Sequence, residues 1–369
     1  MTAADGPLIG VKILEFAGLG PAPFAGMMLA DMGADILRID RPGARLPGRE
    51  WVDARGRRIL GLDLKDPAAV EFCLRAAEKA DIIFEGFRPG VMERLGLGPD
   101  VMLSRNPALV YGRMTGWGQD GPYAHTAGHD INYLALSGVL HAIGTRERPV
   151  PPLNLVGDYG GGALFLVVGM LAALLRARMS GRGQVVDAGM VDGAGYLMSP
   201  VYGMLAGKLW VDAREANLTD GGAAFYGVYR CADEKWITIG PVEPQFYALL
   251  LDKLGASEAV PQGQMDRAAW PEMRRVFADI FSTKTRDDWC ALLEGTDVCF
   301  APVMSLTEAP HHAQNVARKA FIEFDGLTIP APAPRFSETQ GTVRPSRVVD
   351  LEEAETLLAQ WGRDGSDAK

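Results

Sequence analysis

Hydrophobic positions in the first half of the chain switch between two periods. Short apolar runs at Val11–Phe16, Ala34–Ile39, Ile82–Phe84, Leu109–Met114 and Gln184–Asp187 carry strand character. The stretches between them space their apolar residues as helices do. Pro21 opens one such stretch, through Phe24, Met27, Met28 and Leu29, which closes near Gly33. Asp66-Pro67, an N-cap residue followed by proline at the first helical position, predicts another that runs to about Lys79. Strands separated by helices pair in parallel, so the pattern predicts an α/β protein with a Rossmann-like, doubly wound large domain.

The texture changes near Ala223. Phe225–Tyr229 and Trp236–Ile239 read as a hairpin around Asp233-Glu234, followed by helices at Gln245–Leu254 and Trp270–Phe281. These make a smaller α+β domain over 223–317, with 1–187 and 318–369 forming the large domain and 188–222 a linker. A helical end is expected at Leu351–Trp361. The longest apolar run, Ala163–Leu175, stops at Arg176. It is shorter than the roughly 20 residues a membrane span needs and reads as a buried helix.

Composition narrows the function classes. With 48% hydrophobic and 22% charged residues over 369 positions, the chain has the make-up of a globular protein. Its net charge of -9 argues against nucleic acid as a partner, because phosphate backbones attract basic surfaces. The four cysteines, Cys73, Cys231, Cys290 and Cys299, show no metal-ligand or disulfide spacing, so reduced thiols in a cytoplasmic setting are expected. Met1–Gly6 carries no signal-peptide features, and Ser366–Lys369 is not a peroxisomal address. Gly18-Leu19-Gly20 follows the first strand, but Pro23 stands where a dinucleotide fingerprint needs its third glycine, so a nicotinamide cofactor is not expected.

Three places hold candidate chemistry. His129 precedes a helix whose apolar positions begin at Ile131, with Asp130 as the expected N-cap. It reads either as a packing histidine or as a base at a helix start. Asp158 stands between an apolar run and Gly160-Gly161-Gly162, either as an N-cap or as a half-buried carboxylate on a backbone that a ligand can approach closely. Glu243, between Val242 and Pro244, reads as surface punctuation. His141 is expected in the core, and His125, His311 and His312 in exposed loops. Arg38, Arg41, Arg45, Arg49, Arg55, Arg57 and Arg58 form a basic cluster, by default a solvated face. Some of it lies near strand ends, where a phosphate-bearing ligand would sit.

Several separated blocks resemble the α-methylacyl-CoA racemases of the family III CoA-transferase fold. They are Val11–Pro42, Arg88-Pro89-Gly90, Arg94–Gly98, Gly112–Gly121, Gly128–Tyr133, Pro151–Gly162 and Glu243–Tyr247. The resemblance implies an interlocked homodimer acting on acyl-CoA, with no metal and no cofactor beyond the coenzyme A of the substrate, and no membrane insertion. It implies that His129 and Asp158 are the two catalytic bases, and that Glu243 shares a hydrogen bond with Asp158. It further implies coenzyme A contacts at Arg38, Leu62, Asp63, Leu64, Lys65 and Arg88, and a thioester site lined by Gly128, Asp130, Ile131, Asn132 and Tyr133. The rival within the fold is a CoA-transferase using Asp158 as nucleophile. A non-catalytic coenzyme A binder would have no use for the three candidate residues together.

Overall fold

The computed structural model describes residues 6–363, so the terminal segments bearing on leader and address signals lie outside it. The described residues divide into two compact units, one made of residues 6–137, 152–198 and 319–363 and the other of 138–151 and 199–318.

The first unit is built on a seven-stranded sheet in which every neighbouring pair is parallel. In chain order its strands are β1 (Lys12–Phe16), β2 (Asp35–Asp40), β3 (Arg57–Gly61), β4 (Ile82–Glu85), β5 (Val110–Thr115) and β6 (Val185–Gly189), with Arg347–Val349 returning to pair beside β3. The spatial order from β3 is 3-2-1-4-5-6, the doubly wound arrangement expected from the alternation of patterns. Period-2 alternation assigns each strand residue to a face. Ile13, Ile36, Ile82, Phe84 and Val110 pack under helices Pro21–Asp31 and Leu164–Ser180. Leu14, Phe16, Leu37, Ile39, Ile83 and Tyr111 pack under Pro67–Ala77, Pro99–Arg105 and Leu351–Arg363. The Asp66 carboxylate caps its helix by accepting the Ala68 N–H at 2.9 Å.

Strand β3 escapes the hydrophobic pattern because two of its five residues are arginines. The expectation of a solvated basic face fails here. Arg57 is 1% exposed, donates to the buried Glu15 at 2.9 Å, and also donates from its Nη groups to the backbone carbonyls of Pro23, Asp53 and Arg55. Arg55 is likewise buried, on Asp31 at 3.0 Å. Buried carboxylates convert these arginines from surface into core.

The apolar run beginning at Ala163 is part of a longer helix. Leu155–Ala163 forms π-helical turns that continue as the α-helix Leu164–Ser180. Those 26 residues are long and apolar enough to cross a membrane by length and composition alone. Leu166, Val167, Met170, Ala173, Leu174 and Ala177 are buried against the sheet, which makes this a sheet-covering helix. Its other side departs from the expectation of full burial. Leu164, Val168, Leu175 and Met179 are 42%, 65%, 64% and 75% exposed and share one face.

In the second unit an antiparallel sheet of Gly227–Arg230, Trp236–Ile239 and Phe300–Pro302 packs with helices Pro244–Leu254, Trp270–Phe281 and Arg286–Leu293. Their core is aromatic, with Phe225, Tyr229, Tyr247, Trp270, Phe277, Phe281 and Trp289 in mutual contact. Residues 188–222 do not form a linker. Met190–Leu197 packs as a helix in the first unit, while Ser199–Gly222 belongs to the second, together with Gly138–Pro151. Within the second unit Arg214 staples that segment to the carbonyls of Thr145 and His141 at 2.6 and 2.8 Å. His141 is not a core residue. Its ring is 56% exposed and 3.2 Å from Asp212, because its helix is a single turn at the surface.

Glycines set the spacing of the first unit's helices. The backbone of Gly193, in helix Met190–Leu197, lies so close to the π-helical segment that an added Cβ would stand 1.9 Å from the Gly161 carbonyl oxygen. Carbonyl and helix backbone cannot swing aside as a side chain can. Gly193→Ala is therefore expected to destabilise the protein by about 1–3 kcal/mol or more through overpacking, read as a lower midpoint in chemical denaturation. A midpoint equal to that of the parent would show that the two backbones are free to separate.

Candidate active site

A parallel sheet places every strand's C-terminal end on one edge, and the ligand crevice of such sheets lies where the strand order reverses. Here that point is between β1 and β4. A cavity of about 250 Å³ opens there. Leu19 and Pro21 from the loop after β1, Gly86–Pro89 after β4, Thr115–Trp117 after β5 and Met190 after β6 line it. Gly128, His129 and Tyr133 close it from the segment that opens helix Asp130–Leu136.

His129 itself, not Asp130, is the N-cap of that helix. Its extended backbone donates its N–H to the Asn132 side-chain oxygen at 3.0 Å, and its ring is left exposed at the cavity. Asp130 is the first helical residue, and its buried carboxylate reaches a different helix. It accepts the Asp158 N–H at 2.7 Å and is also hydrogen-bonded by the Gly157 N–H. The amides that begin a helix have no partner of their own, and Asp130 caps those of the π-helical segment from across the fold. Gly157 is required for this approach, since a Cβ there would meet the Asp130 oxygen at 2.1 Å.

One side chain thus ties the residue after His129 to the backbone of Asp158. Both readings left open for Asp158 are thereby decided. It is not an N-cap but a half-buried carboxylate in the first turns of a π-helix, a geometry that recurs at functional sites. Its oxygen accepts from the Asn154 side chain at 3.2 Å. Burial raises the Asp158 carboxyl above the ordinary carboxylate range and the neighbouring Asp130 charge adds to this, while Asn154 and His129 pull it down. The glycines that follow do not make room for a ligand. Gly161 meets Ala194 and Gly193, and Gly162 meets Met190 and Pro21.

The remaining expected residues fall into groups. Gly128 and Tyr133 line the cavity, the Tyr133 hydroxyl donating to the Gly128 carbonyl and its ring standing edge-on to Trp117 at 4.7 Å. Ile131 and Asn132 are exposed on the helix but do not line the cavity, and Asn132 is occupied by its own cap. Arg88 is exposed at the cavity. Arg38 lies near the end of β2 and is only 13% exposed, 3.4 Å from Glu15 and 3.3 Å from Asp40. Leu62, Asp63, Leu64 and Lys65 follow β3 on the same sheet edge, the two leucines packed on the core and Asp63 accepting the Lys65 N–H at 3.0 Å. Glu243 belongs to the second unit, exposed at the N-cap of helix Pro244–Leu254.

Sequence reasoning undervalued the loop after β1. Gly18-Leu19-Gly20 fails as a dinucleotide fingerprint, yet its second glycine marks a turn that passes close to Asp158. Gly20 adopts φ 67°, and a Cβ there would lie 3.5 Å from the Asp158 carboxylate. Trp117 and Phe87 carried no signal, since an aromatic in a loop after a strand looks the same whether it packs or recognises.

The sequence profile of CoA-transferase family III matches residues 8–347. The chain is 48% identical over 334 residues to an α-methylacyl-CoA racemase of Mus musculus, covering 90% of this chain and 87% of that protein. It is 43% identical over 358 residues to the Homo sapiens protein of the same name, covering 96% and 93%. A crystal structure of a CaiB/BaiF family protein from Brucella suis shares the fold, with a TM-score of 0.80 at 24% identity over 97% of this chain and all of that one. With the profile spanning nearly the whole chain and the doubly wound sheet in place beneath it, the chain belongs to CoA-transferase family III.

Proposed function

We propose that this chain is a racemase of 2-methylacyl-CoA thioesters, inverting the α-carbon by proton transfer between two bases through an enolate. The observation that supports the reading is the Asp130 bridge, which ties the residue after His129, a cavity-lining histidine, to the backbone of Asp158. Similarity to the two mammalian racemases supports it.

In this reading His129 serves one face of the α-carbon and Asp158 the other, each returning the proton that its partner removed. A thioester α-proton is only weakly acidic, so removal needs a base and stabilisation of the enolate oxygen. The first-turn amides of helix Asp130–Leu136 are suited to that second task. Arg88, Arg38 and Leu62–Lys65 hold the coenzyme A portion, and Glu243 is the third residue of the catalytic set. The transferase alternative uses the same fold but needs Asp158 as a nucleophile and an acceptor acid.

Incubated with one enantiomer of a 2-methylacyl-CoA in deuterated water, the enzyme is expected to incorporate deuterium at the α-carbon as optical activity is lost, with no acceptor acid present. His129→Ala and Asp158→Asn should each suppress exchange from a different enantiomer by about 10²–10⁴-fold. Product that forms only on adding a free carboxylic acid, without label, would establish the transferase instead.

The same site fixes a pH dependence. Asp158 must be ionised to act as a base, and burial raises its carboxyl, so exchange in its direction should fall as pH drops through that raised value. The Asn154 N–H bond favours the ionised form. Asn154→Ala therefore raises the Asp158 carboxyl further and moves this limb of the pH–rate profile to higher pH, leaving the His129 direction in place. A limb that stays put or moves down contradicts the assignment.

We propose further that two chains associate as an interlocked homodimer, the arrangement that the family resemblance implies. The exposed stripe Leu164, Val168, Leu175 and Met179 is the kind of apolar face that a second copy covers. Leu175→Asp is expected to lower the sedimentation coefficient at low concentration relative to the parent. A parent that sediments as an active monomer removes the basis for this assembly.

A further inference from the structure

Behind the cavity lies an ion network that the proposed chemistry does not use. Glu85, the last residue of β4, is fully buried. One of its oxygens accepts the Phe87 N–H at 2.6 Å and the other the Arg113 Nε at 3.0 Å. Arg113, on β5 and 6% exposed, turns its two Nη groups to Glu93 at 2.7 and 3.3 Å. Glu85 and Phe87 lead into the Arg88-Pro89-Gly90 turn, and Glu93 stands just beyond it in Val91–Arg94. Arg113 thus grips both arms of one turn. The tip it holds carries Arg88, whose guanidinium has no ion-pair partner among the described residues and which lines the cavity with His129. None of Glu85, Glu93 and Arg113 lines that cavity.

Energetics argue that this network is there for geometry. A buried ion network of this kind is no more stabilising than a well-packed apolar core, since desolvation offsets its attraction. Burial is the largest effect on Glu85 and raises its carboxyl to about 7, against the pull of Phe87 and Arg113. What a guanidinium fork offers that leucine does not is direction, with fixed donors aimed at two carboxylates on opposite arms. Gly90, at φ 79°, lets the chain reverse between them.

We infer that Arg113, bridging Glu85 and Glu93, is a positioning residue that holds Arg88 against the coenzyme A portion of the substrate. The inference rests on the acyl-CoA reading of the cavity. Arg113 touches no substrate and acts through the turn.

The test measures free coenzyme A binding by calorimetry and steady-state racemisation for the parent, Arg88→Ala, Glu93→Gln, Arg113→Lys and the Arg88→Ala/Glu93→Gln pair. Glu93 is half-exposed, so Glu93→Gln provides a folded variant, and Arg113→Lys keeps the charge while losing the fork. Both are expected to weaken coenzyme A binding and raise KM by about three- to tenfold, with kcat little changed. On the Arg88→Ala background, Glu93→Gln should add no further loss, which a general effect on stability would not reproduce. Parent-like affinity in Glu93→Gln and Arg113→Lys, with Arg88→Ala impaired, overturns the inference, as do losses that add in full to that of Arg88→Ala. A parent that binds no coenzyme A overturns the acyl-CoA reading itself.

Discussion

Parallel strands cannot be joined by a tight turn, and the organisation of the first unit follows from that constraint. Each crossover must climb over a face of the sheet, so both faces are covered by helices and the central strands β1, β4 and β5 are buried on two sides. All the loops that leave strand ends emerge at one edge. Because successive crossovers from β1 go to opposite sides, the loops after β1 and β4 diverge and leave a crevice between them. The cavity with His129 occupies that crevice, framed by loops after four different strands.

Within this frame, polar groups spent on backbone do most of the placing. Asp130 caps a helix other than its own, Asn132 caps the helix of His129, and Glu85 accepts from the loop that carries Arg88. Each of these contacts satisfies a backbone amide, and each fixes the chain at or beside a group facing the cavity. Glycine works alongside them. Gly161 and Gly193 let backbones meet at distances that a methyl group would forbid, Gly157 admits the Asp130 carboxylate, and together they set where the first turns of the Asp158 helix lie. The acidic balance of the chain, -9 overall, is compatible with an anionic ligand, since one turn presents Arg88 locally at the cavity.

The fold is shared by enzymes that move a proton and enzymes that move coenzyme A, so the architecture does not choose between them. The choice rests on side chains. A histidine and a half-buried carboxylate of raised proton affinity, joined through one buried aspartate, suit exchange on two faces of a carbon. A lone carboxylate suits attack on an acyl group.

Periodicity determined much of this. The alternation of strand and helix patterns specified the doubly wound class, and local chemistry placed Asp66-Pro67 and the Trp270–Phe281 helix correctly, because caps and amphipathic spacing are local properties. Motif blocks singled out His129 and Asp158. Strand β3 stayed hidden because Arg57 reads as surface until Glu15 is beside it, 42 positions away in the chain. In the same way Asp130 passes for the cap of its own helix until the fold brings the Asp158 amide to it from 28 positions on. Gly18-Leu19-Gly20 looked like a failed motif, and only its approach to Asp158 gives it a purpose. What tertiary structure alone decided were the pairings of charge with charge and amide with carboxylate. These depend on distance in space, and a one-dimensional pattern carries no record of that distance.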